Sequence, residues 1–344
     1  MKNYRVILMV LTIALMAMSC QNGKSEFDDF DYSGAYFGSQ YPVRTIVLGE
    51  DIFDNSLDNA HKFKVYANLG GLYVNKERVE ISVEVDNSLC DSLYFEDKKT
   101  PIQPLPADYY TLASDKIVLD QILSDGVEVS LSDTFFTDPL ALSKNYVLPL
   151  KMTNATNVDS VLSGVPFVPN AQLTNMLEWQ VQPKNFVLYA LKFINQYHGN
   201  YLRRGVDVRT DTTMVRHKEF VEDDDNTLLT TIALNQCEFS AKFRVIIGKN
   251  EVPRGCDLIL TFNDAGECTI STTTKYFTVK GNGKFVIDGE KNSWGKQDRN
   301  ALYLNYEISY QSSATKPMTT YNTTDTLVVR DRGVAPELFV PVCK

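Results

Sequence analysis

Apolar and polar residues alternate along much of the chain with a period of two. Residues 78–86, RVEISVEVD, place four valine or isoleucine side chains on one face and mostly charged side chains on the other. Successive side chains of a strand point to opposite faces, so this pattern predicts a half-buried antiparallel strand. The same alternation occurs at residues 61–69, 126–131 and 146–152.

Helical spacing is nearly absent. The one segment that has it is SDKIVLDQILSDG, residues 114–126, where we predict a short helix. Many short strands separated by turn residues are typical of a sandwich or a barrel. The first half of the chain is therefore predicted to be a β-sandwich.

The second half reads as consecutive hairpins. Residues 257–272 contain turn residues at Asn263, Asp264 and Gly266, and residues 276–289 contain Gly281-Asn282-Gly283, where we predict a tight turn. Consecutive hairpins build a meander, which either closes into an antiparallel barrel or packs as a sandwich. The pattern leaves these two architectures open.

Asparagine, serine, glycine and proline are concentrated between residues 154 and 183, which indicates a boundary between two strand-rich domains. The predicted organisation has five segments. They are a signal peptide at 1–19, an acidic linker at 20–32, a sandwich domain at 33–165, a linker at 166–183 and a second β-domain at 184–344.

The N-terminus has the features of an export signal. Lys2 and Arg5 precede an apolar run at residues 6–18, and small residues lead to Cys20. The run is long enough for a secretory signal and too short for a membrane-spanning helix. The cysteine at this place resembles the lipidated cysteine of bacterial lipoproteins. The alternative is a plain secretory signal in which Cys20 has no role.

Four acidic residues between positions 26 and 31 follow the cysteine. This resembles the acidic signal that sends lipoproteins of Bacteroidetes-type bacteria to the outer face of the outer membrane. The predicted location is therefore the outer membrane, with a lipid anchor and the protein facing the exterior. A solvated acidic linker is the alternative, because such segments bury too little apolar area to fold.

Charge and cysteine spacing exclude some classes of protein. A net charge of −9 argues against nucleic-acid binding, which requires basic patches. Besides Cys20 the chain has five cysteines without CxxC spacing, which leaves their pairing open. These are Cys90, Cys237, Cys256, Cys268 and Cys343.

No motif for catalysis or for a cofactor is present in the sequence. The three histidines lack HExxH spacing, and neither a GxSxG motif nor a phosphate-binding loop occurs. We therefore expect no metal, no cofactor and no enzymatic activity. Carboxylates are abundant, so a glycosidase pair stays open from the sequence alone.

Aromatic residues near turns are the candidates for recognition, because a flat ring can stack on the apolar face of a sugar. Trp294 lies in a polar loop with a glycine beside it, and the alternative is that its ring caps the end of the second domain. The other candidates surround the predicted turn at residues 198–200. They are Tyr197, His198, Tyr201 and Arg203.

Three segments carry a family resemblance. Residues 145–155, NYVLPLKMTNA, resemble the last strand of an Ig-like domain of unknown function found in Bacteroidetes surface lipoproteins. Residues 186–205 and 283–332 resemble the C-terminal β-domain that often follows it. The resemblance implies an Ig-like sandwich at 33–165 and an accessory glycan-binding protein of a Sus-type polysaccharide-uptake system. The alternative is a structural or adhesive surface lipoprotein that binds another protein.

Overall fold

The computed structural model describes residues 29–313 and 318–343, so the predicted anchor at Cys20 lies outside the described residues. The all-β prediction is confirmed. The strands, in chain order, are β1 (Gly34–Tyr36), β2 (Pro42–Val47), β3 (Lys62–Gly70), β4 (Arg78–Val85), β5 (Leu93–Tyr94), β6 (Gln103–Pro104), β7 (Tyr110–Leu112), β8 (Lys116–Asp120), β9 (Ser124–Leu131), β10 (Tyr146–Ala155), β11 (Ser160–Val161), β12 (Val165–Pro166), β13 (Trp179–Val181), β14 (Phe186–Ile194), β15 (Gly199–Arg209), β16 (Thr212–Arg216), β17 (Asp225–Ala233), β18 (Gln236–Ile247), β19 (Asn250–Phe262), β20 (Glu267–Ser271), β21 (Phe277–Glu290), β22 (Arg299–Tyr310), β23 (Thr319–Asp331), β24 (Glu337–Leu338) and β25 (Val342–Cys343).

The helices are short. Two α-helical turns and five 3₁₀ turns occupy Ser56–Asn59, Asn87–Cys90, Asp133–Thr137, Pro139–Leu142, Met176–Glu178, Val221–Asp223 and Trp294–Lys296. Within the ranges 29–313 and 318–343, no helix has both the length and the apolar character needed to cross a bilayer.

The first half is a sandwich of two sheets. One sheet has the order β11-β1-β3-β9-β7, and the other has the order β24-β2-β14-β10-β4-β8 with β6 paired to β10. The alternating side chains of both sheets form one core, as the pattern at residues 78–86 predicts. The helix predicted at residues 114–126 is wrong, because this segment forms β8, a turn and the start of β9. Ile117 and Leu119 alternate into the core, and Gln121 has a positive φ of 57° that ends the strand.

Strand β14 belongs to the first sandwich. It pairs with β2 in parallel and with β10 in antiparallel orientation, and both of its faces are covered. Burial on both faces explains why its sequence, FVLYALKFI, is almost continuously apolar. The predicted second domain, residues 184–344, therefore includes two strands that the structure places in the first sandwich. These are β14, which precedes the barrel, and the short strand β24, which follows it.

The second half is a closed barrel, which decides between the two predicted architectures. Eight strands, β15 and β17 to β23, form a continuous antiparallel ring that closes through pairing of β15 with β23. Strand β16 extends the wall beside β15. The turn predicted at Gly281-Asn282-Gly283 is wrong, since all three residues lie inside β21 and pair with β22. The turn at 263–266 is confirmed between β19 and β20.

Candidate functional site

A depression of about 840 Å³ lies on the outer wall of the barrel. We call it the outer groove. Its lining comes from strands β19 to β23 and from the turn that joins β19 to β20. Neutral polar side chains predominate among the lining residues that face outwards.

Five of these side chains form a row that crosses the strands, which we call the polar row. Successive pairs are Cα partners in neighbouring strands, so all five side chains project from the same face of the wall. In order across the wall they are Thr261, Thr269, Asn282, Asn305 and Thr324.

Most of the polar row is free to bind a ligand. Thr269, Asn282, Asn305 and Thr324 are exposed, and their side chains make no hydrogen bond to any residue that the structure describes. Thr261 is half-buried and accepts a hydrogen bond from Gln236 Nε2 at 3.1 Å. The two amides and the hydroxyl groups can both donate and accept hydrogen bonds.

Two glycines let strand β21 pack closely against strand β22 beneath the groove. A Cβ atom at Gly281 would lie 2.4 Å from Tyr306 Cβ, and one at Gly283 would lie 2.4 Å from Leu304 Cδ2. The absence of side chains at these two positions lets the strand pack directly on its neighbours. Asn282, between them, is exposed and projects outwards into the groove.

Tyr303 supplies the aromatic ring of the outer groove. It is half-buried in the row beside the polar row, opposite Lys284 on β21 and Thr326 on β23. Its hydroxyl group donates a 2.8 Å hydrogen bond to Glu290 Oε1. Burial and the Glu290 carboxylate raise the pKa of Tyr303 to about 12, so the phenol stays protonated and can donate this hydrogen bond.

The charges near the groove compensate each other. Lys284 Nζ lies 3.9 Å from Glu267 Oε1 across strands β20 and β21. Asp325 also borders the groove, but it is only 1% exposed and Arg203 Nη2 lies 2.8 Å from its Oδ2 atom. Burial would raise the pKa of Asp325, but Arg203 and Arg216 outweigh it and hold the pKa below its usual range.

Three residues predicted from the sequence as glycan contacts lie inside the barrel instead. Tyr197 stacks on Phe262 with ring centroids 3.6 Å apart, and the Tyr201 hydroxyl group donates to the Tyr197 carbonyl at 2.8 Å. Arg203 pairs with Asp325, as described above. All three are less than a tenth exposed, so their side chains are part of the barrel interior.

His198 and Trp294 lie at the end of the barrel that faces the sandwich. His198 Nδ1 accepts a hydrogen bond from the backbone amide of Thr231 at 3.0 Å. Trp294 Nε1 donates to the carbonyl of Val329 at 3.1 Å, and the Arg299 guanidinium lies 3.5 Å from the centroid of its indole. One face of the indole is therefore covered by this chain. None of the predicted contacts lines the outer groove.

The sequence pattern did not identify the polar row. The sequence pattern predicts a turn at Asn282, whereas the structure places this residue at an outward position of a continuous strand. Asn305 and Thr324 occupy exposed positions in strands β22 and β23. The signature of this site is a polar residue at the same register in several neighbouring strands, which is visible only once the strand pairing is known.

Comparisons with known proteins agree with the two-part fold. Residues 196–333 match the model of a domain of unknown function, DUF5627, and residues 29–159 match a model described as an N-terminal domain. A crystal structure of a Bacteroides ovatus protein of unknown function is 43% identical to this chain with a TM-score of 0.84. The match covers 92% of this chain and 100% of that protein. No curated protein matches the chain.

Two further solved structures are much less similar. A multidomain protein including DUF1735 from Bacteroides ovatus is 12% identical with a TM-score of 0.40, covering 88% of this chain and 97% of that one. An auxiliary nutrient binding protein from Bacteroides thetaiotaomicron is 12% identical with a TM-score of 0.35, covering 86% and 95%. Similarity at this level carries no argument about the function of this chain.

Proposed function

This chain belongs to the family of the Bacteroides ovatus protein of unknown function, and we propose that it is a non-catalytic, glycan-binding lipoprotein of the cell surface. The glycan binds in the outer groove, and the protein serves as an accessory of a polysaccharide-uptake system. The polar row, with four exposed side chains free of intramolecular hydrogen bonds among the described residues, is the observation that carries this proposal.

The chemistry of the outer groove fits a sugar. Each sugar hydroxyl group both donates and accepts hydrogen bonds, as do the amides of Asn282 and Asn305 and the threonine hydroxyl groups. Tyr303 adds an aromatic ring beside them. Ligand sites of this kind combine an apolar surface with a few placed polar groups that fix orientation.

The distribution of carboxylates supports binding without hydrolysis. Most glycosidases need two carboxyl groups that face each other across the scissile bond. Among the residues that line the outer groove, Glu267 is the only one with a carboxylate at the surface, because the carboxylate of Asp325 is paired inside the barrel.

The binding site can be tested with a double variant. We expect Asn282→Ala with Asn305→Ala to lose affinity for the glycans that wild-type protein retains on a glycan array. Asn322→Ala is the matched control, because Asn322 is an exposed asparagine on the same outer wall, outside the groove. Equal affinity of the double variant and the control would contradict the site, provided that both melt at the wild-type temperature.

The proposed lipid anchor has its own test. Cys20→Ala should prevent lipidation and release the full-length protein from the membrane fraction, since two or three acyl chains bind a bilayer firmly. A control substitution of the neighbouring Gln21 by alanine should leave the protein in the membrane fraction. Retention of the Cys20→Ala variant in the membrane would contradict a lipoprotein.

An exposed apolar hairpin favours the alternative of a protein partner. The hairpin at residues 165–181 presents Phe167, Met176 and Leu177, with Leu177 90% exposed. Large exposed apolar side chains that cluster on a surface often mark an interaction site. If the hairpin binds a partner protein, the double variant Phe167→Ser, Leu177→Ser should no longer bind that partner. Its affinity for glycans should stay unchanged.

A further inference from the structure

The polar row has a direction and two ends. It crosses the strands, and neighbouring strands lie about 4.8 Å apart, so its five side chains span about 19 Å. At one end, Thr261 is paired with Gln236 on β18. At the other end, the next residue in the same register is Val206 on β15, whose side chain has no hydrogen-bonding group. The row is therefore a linear array of limited length.

This array fits a linear ligand better than a branched or compact one. Hydrogen-bonding groups recur once per strand along a single line, at a spacing comparable to that of successive units in an extended oligosaccharide. Tyr303 stands beside the middle of the line, between Lys284 and Thr326. A ligand lying along the row would meet one amide or hydroxyl group at each step.

The charges indicate an uncharged ligand. None of the five side chains in the polar row is ionisable. The two cations that flank Asn282 on the outer face of β21, Lys280 and Lys284, already face Glu307 and Glu267. The buried Asp325 is neutralised by Arg203 and Arg216. An acidic sugar would therefore lose hydration at its carboxylate without gaining an unpaired cation.

Resting on the proposed function, we infer that the ligand is an uncharged, linear oligosaccharide that lies across strands β19 to β23. It has about four units in contact with the protein, one for each interval between neighbouring strands. Thr261 and Thr324 bind its two ends, and Asn282 and Asn305 bind its middle.

The test measures affinity against chain length. The probes are linear neutral oligomers of glucose, mannose, xylose and galactose, from monosaccharides to long oligomers, together with linear oligouronides. We expect affinity for one neutral series to rise with length and to level off near about four units, with oligouronides bound more weakly. Asn282→Ala should lower affinity about tenfold at every length, the effect of one lost hydrogen bond of about 1.4 kcal/mol.

An end variant separates this inference from the proposed function. Thr324→Val should weaken binding of the longer oligomers and leave that of the shortest oligomer that binds unchanged, while Asn322→Ala changes neither. Tighter binding of oligouronides, or affinity independent of length, would overturn the inference while loss of binding in Asn282→Ala still supports a glycan site in the groove. Binding to none of the probes would overturn the proposed function and the inference together.

Discussion

Arg332 donates a hydrogen bond from Nη1 to the backbone carbonyl oxygen of Glu50, 2.6 Å away. The other guanidinium N–H groups donate to the carbonyl oxygens of Leu48, Asn195 and His198 at 2.7–3.0 Å. Glu50 and Leu48 follow strand β2 of the sandwich, and Arg332 follows the last strand of the barrel. One buried side chain therefore joins the two parts of the molecule through four carbonyl groups.

Replacement of Arg332 should destabilise the protein. Arg332→Met keeps much of the side-chain volume but leaves four carbonyl groups without this donor. A buried acceptor without a partner costs about 1–3 kcal/mol, so we expect the free energy of unfolding to fall by at least about 3 kcal/mol. Chemical denaturation measures it, and Arg330→Met is the control because Arg330 is exposed. Equal stability of the two variants would show that water replaces the guanidinium at no cost.

Stability should depend on pH through His198. Burial, followed by the charges of Arg332 and Lys192, lowers the pKa of His198 from its usual 6.5 to about 4. The unfolded chain therefore binds a proton at a higher pH than the folded protein does, and this contribution to stability is lost as the pH falls from about 6.5 to about 4. His198→Asn keeps an acceptor for the Thr231 amide and should reduce this loss.

The matched control for the pH experiment is His217→Asn, because His217 is exposed. Melting temperatures between pH 7 and about pH 4 compare the wild type with both variants. The His217 variant should follow the wild-type curve, whereas the His198 variant should be flatter. Identical curves for all three proteins would mean that His198 does not contribute to acid sensitivity.

The polar row depends on the glycines beneath it. Gly281→Ala places a Cβ atom 2.4 Å from both the carbonyl oxygen of Asn305 and Tyr306 Cβ, so the strands must separate. Overpacking of this kind costs about 1–3 kcal/mol. Gly255→Ala on strand β19 meets no atom within 4 Å and should leave stability unchanged or slightly raised. If the two variants melt at the same temperature, close packing of β21 is not needed for the fold.

The sequence predicted the parts of this fold that depend on local pattern. Alternation over residues 78–86 identified β4 and its buried face, and the turn residues at 263–266 identified one hairpin of the barrel. The same local reasoning failed at residues 114–126, where Ile117 and Leu119 suit either a helix or a strand until a sheet is present to pair with. It also placed a turn at Asn282, where glycines instead serve close packing inside a strand.

The outer groove could not be predicted because it is a property of register. Thr261 and Thr324 are separated by more than sixty positions in the sequence, and three further strands lie between theirs in the barrel wall. A shift of one residue in any pairing would turn the side chain of that strand inwards. The closed ring of strands fixes these registers, and only then do five unremarkable polar residues form one row.

Protease should cut the hairpin at residues 165–181 without separating the molecule. Phe167 and Leu177 are highly exposed, while the base of the hairpin is held by the pairing of strand β12 with strand β13. Exposed loop tips are cleaved first. Because β14 follows the cut and pairs with β2 and β10, the two fragments should stay together in gel filtration and separate only under denaturing conditions. Fragments that separate without denaturant would place the domain boundary at this hairpin.

Variants of Trp294 can distinguish a structural role of this side chain from a role in binding. Its Nε1 group bonds the Val329 carbonyl and its ring lies under Arg299, so we expect Trp294→Phe to cost about 1 kcal/mol of stability through the lost hydrogen bond. Trp294→Ala also removes the cation–π contact, worth about 0.5–2 kcal/mol, and should cost more. Phe53→Ala is the control, because Phe53 is an aromatic residue that is 75% exposed.

Glycan affinity completes the comparison. Trp294 does not line the outer groove, so both Trp294 variants should bind the wild-type glycans with unchanged affinity below their melting temperatures. The opposite result, unchanged stability with lost affinity in Trp294→Ala, would mean that the indole contacts the sugar and that the site extends to the end of the barrel beside the sandwich. Retained affinity in Trp294→Ala, together with its loss in Asn282→Ala, would place recognition on the outer wall, where the polar row lies.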